Sequence, residues 1–113
     1  MIRVKVKRDR NNNPALAEIR GHALFAPRGT DIVCASVSVL AQTMVYAMED
    51  LLDIYPPVKI KKGFFCVSRP AQLDEAKKEG FFLLFESMLV GLREIVRSYP
   101  KYISLQEIVD RKM

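Results

Sequence analysis

Apolar and polar residues alternate strictly from Ile2 to Lys7, with Ile2, Val4 and Val6 on one side and Arg3, Lys5 and Lys7 on the other. That is the period of a strand with one face in a core and one in water. The run Asp9 to Pro14, DRNNNP, is a cluster of turn formers, so a second strand over about Ala15 to Ala23 should pair with the first as an antiparallel hairpin. From about Ile32 to Leu52 the chain is apolar nearly all round. Ser36, Thr43 and Asp50 recur every seven residues as its one wet stripe, which predicts a central helix buried over most of its surface. Pro56-Pro57 ends this segment, and Val58 to Ser68 returns to alternation, broken in phase at Lys62-Gly63 by a bulge or a tight turn. Between Pro70 and Tyr99, Phe81, Phe85, Met88, Leu92 and Ile95 stand at helical spacing. Gly80 and Gly91 inside that helix mark the close approach of another element, either the first helix or a partner subunit. Pro100 stops the helix, and Tyr102 to Val109 adds a last strand.

The order β-β-α-β(β)-α-β predicts an α/β fold, an α+β sandwich in which a mixed or antiparallel sheet of four to six strands carries two long helices. A chain of 113 residues holds one core, so a single domain over residues 1–113 is expected. The net charge of +5, from 18 Lys and Arg against 13 Asp and Glu, favours RNA or an acidic partner. Arg3, Lys5, Lys7, Lys59 and Lys61 share one face of the sheet, a pattern whose usual meaning is a solvated surface. No N-terminal segment reads as a signal peptide and no run approaches the roughly twenty apolar residues that span a bilayer. A cytoplasmic protein with no membrane partner is the expectation. There, Cys34 and Cys66 are free thiols rather than a disulfide. One histidine and two cysteines without CxxC or HxxxH spacing give no metal site, and nothing in the sequence calls for a cofactor; glycine motifs for dinucleotides or phosphates are absent.

Chemistry concentrates in Gly21 to Ser38, GHALFAPRGTDIVCASVS, which holds the only histidine and one of the two cysteines. A thiol is a useful nucleophile as thiolate, and a nearby imidazole or a helix N-terminus populates that form. Asp31 is a suitable N-cap for the helix from Ile32, which puts Cys34 in the first turn, where free amides could also hold an oxyanion. Strict alternation sends His22 to the face of Glu18 and Arg20, away from the helix side; Gly21 can relieve this by a bulge that re-aims the next side chain. Ser38 lies one turn beyond Cys34 on the same face, although a mid-helix serine commonly bonds back to the carbonyl four residues earlier. Cys66, amid Phe64, Phe65 and Val67, reads as core.

Gly21-His22-Ala23, the loop with Gly29, and Asp31 to Ser38 (DIVCASVS) resemble the ribosomal-processing cysteine proteases (Prp family), and the resemblance extends through LVGLREIVRSYPKYI near the C-terminus. It implies a catalytic pair of His22 and Cys34 with Asp31 and Ser38 in support, and leaves open whether Asp31 orients His22 or only caps the helix. It further implies a substrate-binding or lid region including Gly21, Ala23, Phe25, Gly29 and Ala35. The substrate would be the N-terminal extension of a large-subunit ribosomal protein, with ribosome association and a homodimer as expected partners. The loop Leu24 to Thr30 is then expected to gate the site, with Phe25 filling the empty substrate pocket. Two other classes stand beside this: a noncatalytic ribosome-associated module using the basic sheet face, and a thiol hydrolase or acyltransferase acting on a small molecule.

Overall fold

The alternation at the start of the chain folds as a hairpin of β1 (Ile2–Arg8) and β2 (Pro14–Arg20), whose turn is organised by Asp9. In this computed structural model, which describes residues 1–27 and 29–113, Asp9 Oδ1 accepts from the N–H groups of Asn11 and Asn13 at 2.9 and 3.0 Å. Its Oδ2 accepts from the Arg69 guanidinium at 3.0 Å. Helix α1 (Ile32–Leu52) follows, then strands β3 (Val58–Lys61) and β4 (Phe64–Ser68), helix α2 (Glu75–Ser98) and strand β5 (Ile103–Val109). Lys62-Gly63 is the tight turn of a β3/β4 hairpin. The five strands form one mixed sheet in the order β3-β4-β2-β1-β5, antiparallel except between β1 and β5. The α+β sandwich with two long helices is therefore the observed fold.

Both helices cover the same face of the sheet. Val4, Val6, Ala17, Phe65 and Val67 meet Val33, Val37 and Met48 of α1 and Phe81, Phe85 and Leu92 of α2 in one core. Each large side chain so buried contributes about 1.5–3 kcal/mol. A β-carbon on Gly80 would lie 2.6 Å from Leu52 Cδ1, and one on Gly91 2.8 Å from Leu40 Cδ1. The element those glycines admit is thus α1. At the end of β1 the alternation that buries Ile2, Val4 and Val6 also points the Arg8 side chain inward. There its guanidinium donates to Glu86 at 2.7 Å and to Glu107 at 2.9 Å.

Helix α1 departs from its expected burial. With one sheet and both helices on one side of it, the outward face of α1 has no further layer, and Val39 and Tyr46 stand 63% and 59% exposed beside Ser36, Thr43 and Asp50. By length and composition its 21 residues would also suffice to cross a membrane, which a search for an unbroken apolar run passes over. In the fold its inner face belongs to the core.

Candidate active site

Strand β2 stops at Arg20 instead of running on to Ala23, because Gly21 takes a φ of +91°. This is a backbone conformation that glycine adopts without steric cost. The Gly21 N–H donates to the Gly63 carbonyl at 2.9 Å, which pins the turn to the β3/β4 hairpin. The next side chain is thereby swung off the solvent face, and His22 lines a cleft together with Cys34 and Ser38 of α1. Gly21 is itself fixed as glycine, since an added β-carbon would fall 2.5 Å from the Met1 carbonyl oxygen.

The cysteine is placed by Asp31. Oδ1 of this carboxylate accepts from the N–H groups of Val33 and Cys34, both at 3.0 Å, while Oδ2 accepts from the Phe25 N–H at 3.0 Å. Asp31 is thus both the N-cap of α1 and the anchor of the loop that leaves His22. Desolvation pushes its carboxyl up, but the amides of Cys34, Phe25 and Ala26 outweigh this and hold it below the usual carboxylate range. With both oxygens engaged in this way, capping is the role its geometry describes. The same bonds correct the expected oxyanion site: the Val33 and Cys34 amides are committed to Asp31 Oδ1, and the Ala35 N–H donates to the Asp31 carbonyl at 3.0 Å. A different amide is aimed at the sulfur. The Ala23 N–H donates to Cys34 Sγ at 3.3 Å, and a thiolate would strengthen that bond because the acceptor becomes charged.

Two clefts meet at His22, Cys34 and Ser38. One, of about 170 Å³, is walled by Ile2, Ile19, Val37 and Phe65 and also touches Gly21, Lys61 and Gly63. The other, of about 540 Å³, is bounded by Leu24, Ala26, Gly29, Asp31, Ala35 and Lys62. Ser36, not Ser38, makes the back-bond of a helical serine, its hydroxyl donating to the Ile32 carbonyl at 2.6 Å. Ser38 contributes to the wall of both clefts. Of the remaining expected positions, Gly21 borders the first cleft, and Gly29 and Ala35 border the second. Ala23 is buried and acts through its backbone.

Phe25 is misplaced by the sequence reading. Its ring packs edge-on against Tyr99 at 5.4 Å and Tyr102 at 5.1 Å between centroids, and it lines neither cleft. The Asp31 bond to its N–H and two tyrosines at the far end of α2 give it an aromatic seat in which it stays part-exposed, away from the substrate cleft. The apolar loop residue beside the site is Leu24, 79% exposed and at a φ of +58°. Sequence reasoning also passed over Gly63. At φ +69° this residue backs the imidazole so closely that a β-carbon would lie 2.9 Å from His22 Nε2. The phase break at Lys62-Gly63 was its signal, but its partner depends on β2 and β4 pairing Arg20 with Phe64.

A half-buried thiol in the first turn of a core helix, an imidazole beside it and a cleft to either side form the arrangement a thiol peptidase requires. The relatives of the chain are of that kind. The sequence profile of the family described as cysteine protease Prp matches residues 1–104. The ribosomal processing cysteine protease Prp of Bacillus subtilis (strain 168) is 34% identical over 101 residues, covering 88% of this chain and 90% of that protein. The essential ribosomal processing protease Prp from S. aureus, solved with a covalently linked product peptide, is similar at TM-score 0.85 and 26% identity over 95% of this chain and 99% of that one. The same protease solved with a substrate peptide gives TM-score 0.80 at 25% identity, over 95% and 99%. The chain belongs to the Prp family and is a ribosomal-processing type of cysteine protease. The noncatalytic module and the small-molecule thiol hydrolase fall as readings of the whole chain.

Proposed function

We propose that this chain is an endopeptidase that removes the N-terminal extension of a large-subunit ribosomal protein during ribosome maturation, with Cys34 as nucleophile and His22 as general base and acid. The observation that carries the reading is the meeting of the two clefts at His22, Cys34 and Ser38. A polypeptide laid from one cleft to the other would present one peptide bond to the sulfur. His22 takes the thiol proton, and Sγ attacks the scissile carbonyl to form a tetrahedral intermediate. The Ala23 N–H, which faces Sγ in the free enzyme, is the donor assigned to the developing oxyanion. Collapse expels the amine, protonated by His22, and leaves a thioester on Cys34. Water, deprotonated by His22, hydrolyses it and restores the thiol. The apolar wall of Ile2, Ile19, Val37 and Phe65 suits a hydrophobic or aromatic residue beside the cut. The relatives from S. aureus, solved with product and substrate peptides, support the same direction.

We infer further that the enzyme works in the cytoplasm, in association with the ribosome and as a homodimer. Ile32, Val39 and Tyr46, seven residues apart and all more than half exposed, give α1 an outward apolar stripe that supports the dimer; sedimentation equilibrium tests it. The cleavage reading is tested by incubating the enzyme with a ribosomal protein carrying its extension and weighing the products. Wild type should yield two fragments and Cys34→Ser none. Iodoacetamide should alkylate Cys34 well before Cys66, whose thiol is pushed up by burial and by Glu18. Cleavage at the wild-type rate by Cys34→Ser, or equal slow labelling of both thiols, overturns the assignment.

A further inference from the structure

The sheet face turned away from the helices gathers a cluster of cations. Cross-strand pairing sets Lys61 opposite Phe64 and Lys59 opposite Cys66, Arg20 opposite Phe64 and Glu18 opposite Cys66, and Arg3 opposite Arg20 and Lys5 opposite Glu18. Directly opposed residues share a face, and Lys7 follows on the same side of β1. Six cations therefore stand around one carboxylate, Glu18, which is itself bonded to Arg20 at 2.6 Å. The neighbouring β5 positions Ser104, Gln106 and Ile108 are uncharged. With six basic residues and one acidic, this face carries a formal charge of +5, as large as the net charge of the whole sequence. Arg3, Lys5, Arg20, Lys59 and Lys61 are all exposed.

We infer that this face is a docking surface for the phosphate backbone of RNA. The cations stand on β3, β2 and β1, across a run of four strands spaced about 4.8 Å from one to the next, which fits a polyanion whose charges recur along a chain better than a single acidic side chain. Phe64 lies under the Arg20 guanidinium at 4.6 Å, an arginine and an aromatic ring of the kind on which unpaired bases stack. The row of Lys61, Phe64, Arg20 and Arg3 lies nearest the Gly21 and Gly63 turns, and Lys61 also borders the active-site cleft. Bound RNA would hold the cleft beside a protein tail emerging from an RNA surface. The inference deepens the ribosome-associated part of the proposed function and rests on it for the choice of ribosomal RNA as the natural ligand; RNA binding itself is tested apart from cleavage.

Fluorescence anisotropy of a labelled RNA hairpin measures it, with wild type compared with two variants matched to each other in charge: Arg3→Gln/Lys5→Gln/Lys59→Gln, and Arg97→Gln/Lys101→Gln/Arg111→Gln, whose residues are exposed but lie off this face. Each phosphate neutralised contributes about 0.7–0.9 to the slope of log K against log salt. The face variant should lose about 2–3 from that slope and at least about tenfold in affinity at low salt, whereas the off-face variant stays within about twofold of wild type. All three should cleave a short free peptide at equal rates. Equal slopes in the two variants, or displacement of the RNA by polyglutamate or phosphatidylserine vesicles at matched charge, overturns the inference and leaves the cleavage reading intact. Loss of peptide cleavage with RNA binding preserved would do the reverse.

Discussion

The imidazole of His22 rests against Gly63, so closely that a β-carbon there would lie 2.9 Å from Nε2. Gly63→Ala should therefore displace the imidazole that shares both clefts with Cys34. A misplacement of about 1 Å at a catalytic group can cost on the order of 10²-fold in rate, so kcat is expected to fall about 10–100-fold with KM changed little. The φ of +69° adds a strain of about 1–3 kcal/mol for alanine. Gly63→Asn separates the two effects, because asparagine tolerates that backbone yet still carries a β-carbon. It should recover melting temperature but not kcat; recovery of both would remove Gly63 from the site.

Asp31 is expected to matter through the backbone it holds. Asp31→Ala strands the amides of Val33, Cys34 and Phe25 and should cost about 1–2 kcal/mol by thermal melting. Asp31→Asn keeps a capping oxygen and should lose much less. If Asp31 instead oriented His22, both variants would shift the pH profile of kcat/KM alike. The expected outcome is a profile whose shape is unchanged in Asp31→Asn.

Much of this was legible along the chain, for reasons local to it. Alternation from Ile2 and helical spacing from Phe81 report which side of each element is dry, and the fold follows from covering those sides. Gly21 flagged the turn that resolves where His22 points, because only a residue free to take positive φ could rescue it from the face of Arg20. What was not legible depends on pairing distant segments. Gly63 meets His22 only because β4 lies next to β2, and Phe25 finds Tyr99 and Tyr102 only after α2 and β5 have been placed. The occupied amides of the first turn could have been read from the sequence: the N-cap role of Asp31 already commits the Val33 and Cys34 N–H groups, and only its second bond, to the Phe25 N–H, depends on the path of the loop.

Phe25→Ala now carries the opposite expectation from a ring that blocks the cleft. Each aromatic pair with Tyr99 and Tyr102 is worth about 0.5–1.5 kcal/mol beyond its burial. Removing the ring should free the loop that carries Leu24 and Gly29 along the second cleft. KM for a peptide substrate should rise severalfold, with kcat less affected, and limited proteolysis should cut the loop sooner. A fall in KM would instead mean that the ring competes with substrate.

The last expectation concerns acid stability and lies at the opposite end of β1. Partial burial pushes the Glu107 carboxyl up, but the bonds from Arg8 and then Arg93 outweigh it and hold it below the usual glutamate range. Asp9 behaves alike: burial raises it, while the Asn13 amide, Arg69 and the Asn11 amide lower it further than burial lifts it. A carboxyl lowered in the folded state releases its proton more readily there than in the unfolded chain, so it stabilises the fold above its unfolded value of about 4. That contribution is present at neutral pH and disappears as pH falls through the lower, folded value. The melting temperature should accordingly decline below about pH 4. Arg8→Met takes away the guanidinium that both Glu86 and Glu107 share. With those carboxylates 42% and 31% exposed, water recovers part of the loss, and about 1–3 kcal/mol at pH 7 is expected in place of the 3–5 of a fully buried pair. Because Arg8→Met removes a cause of the depressed Glu107 value, its stability should also fall less steeply with acid than that of wild type. Parallel acid slopes in thermal melts of the two proteins would show that the Arg8 cluster does not set the acid limit.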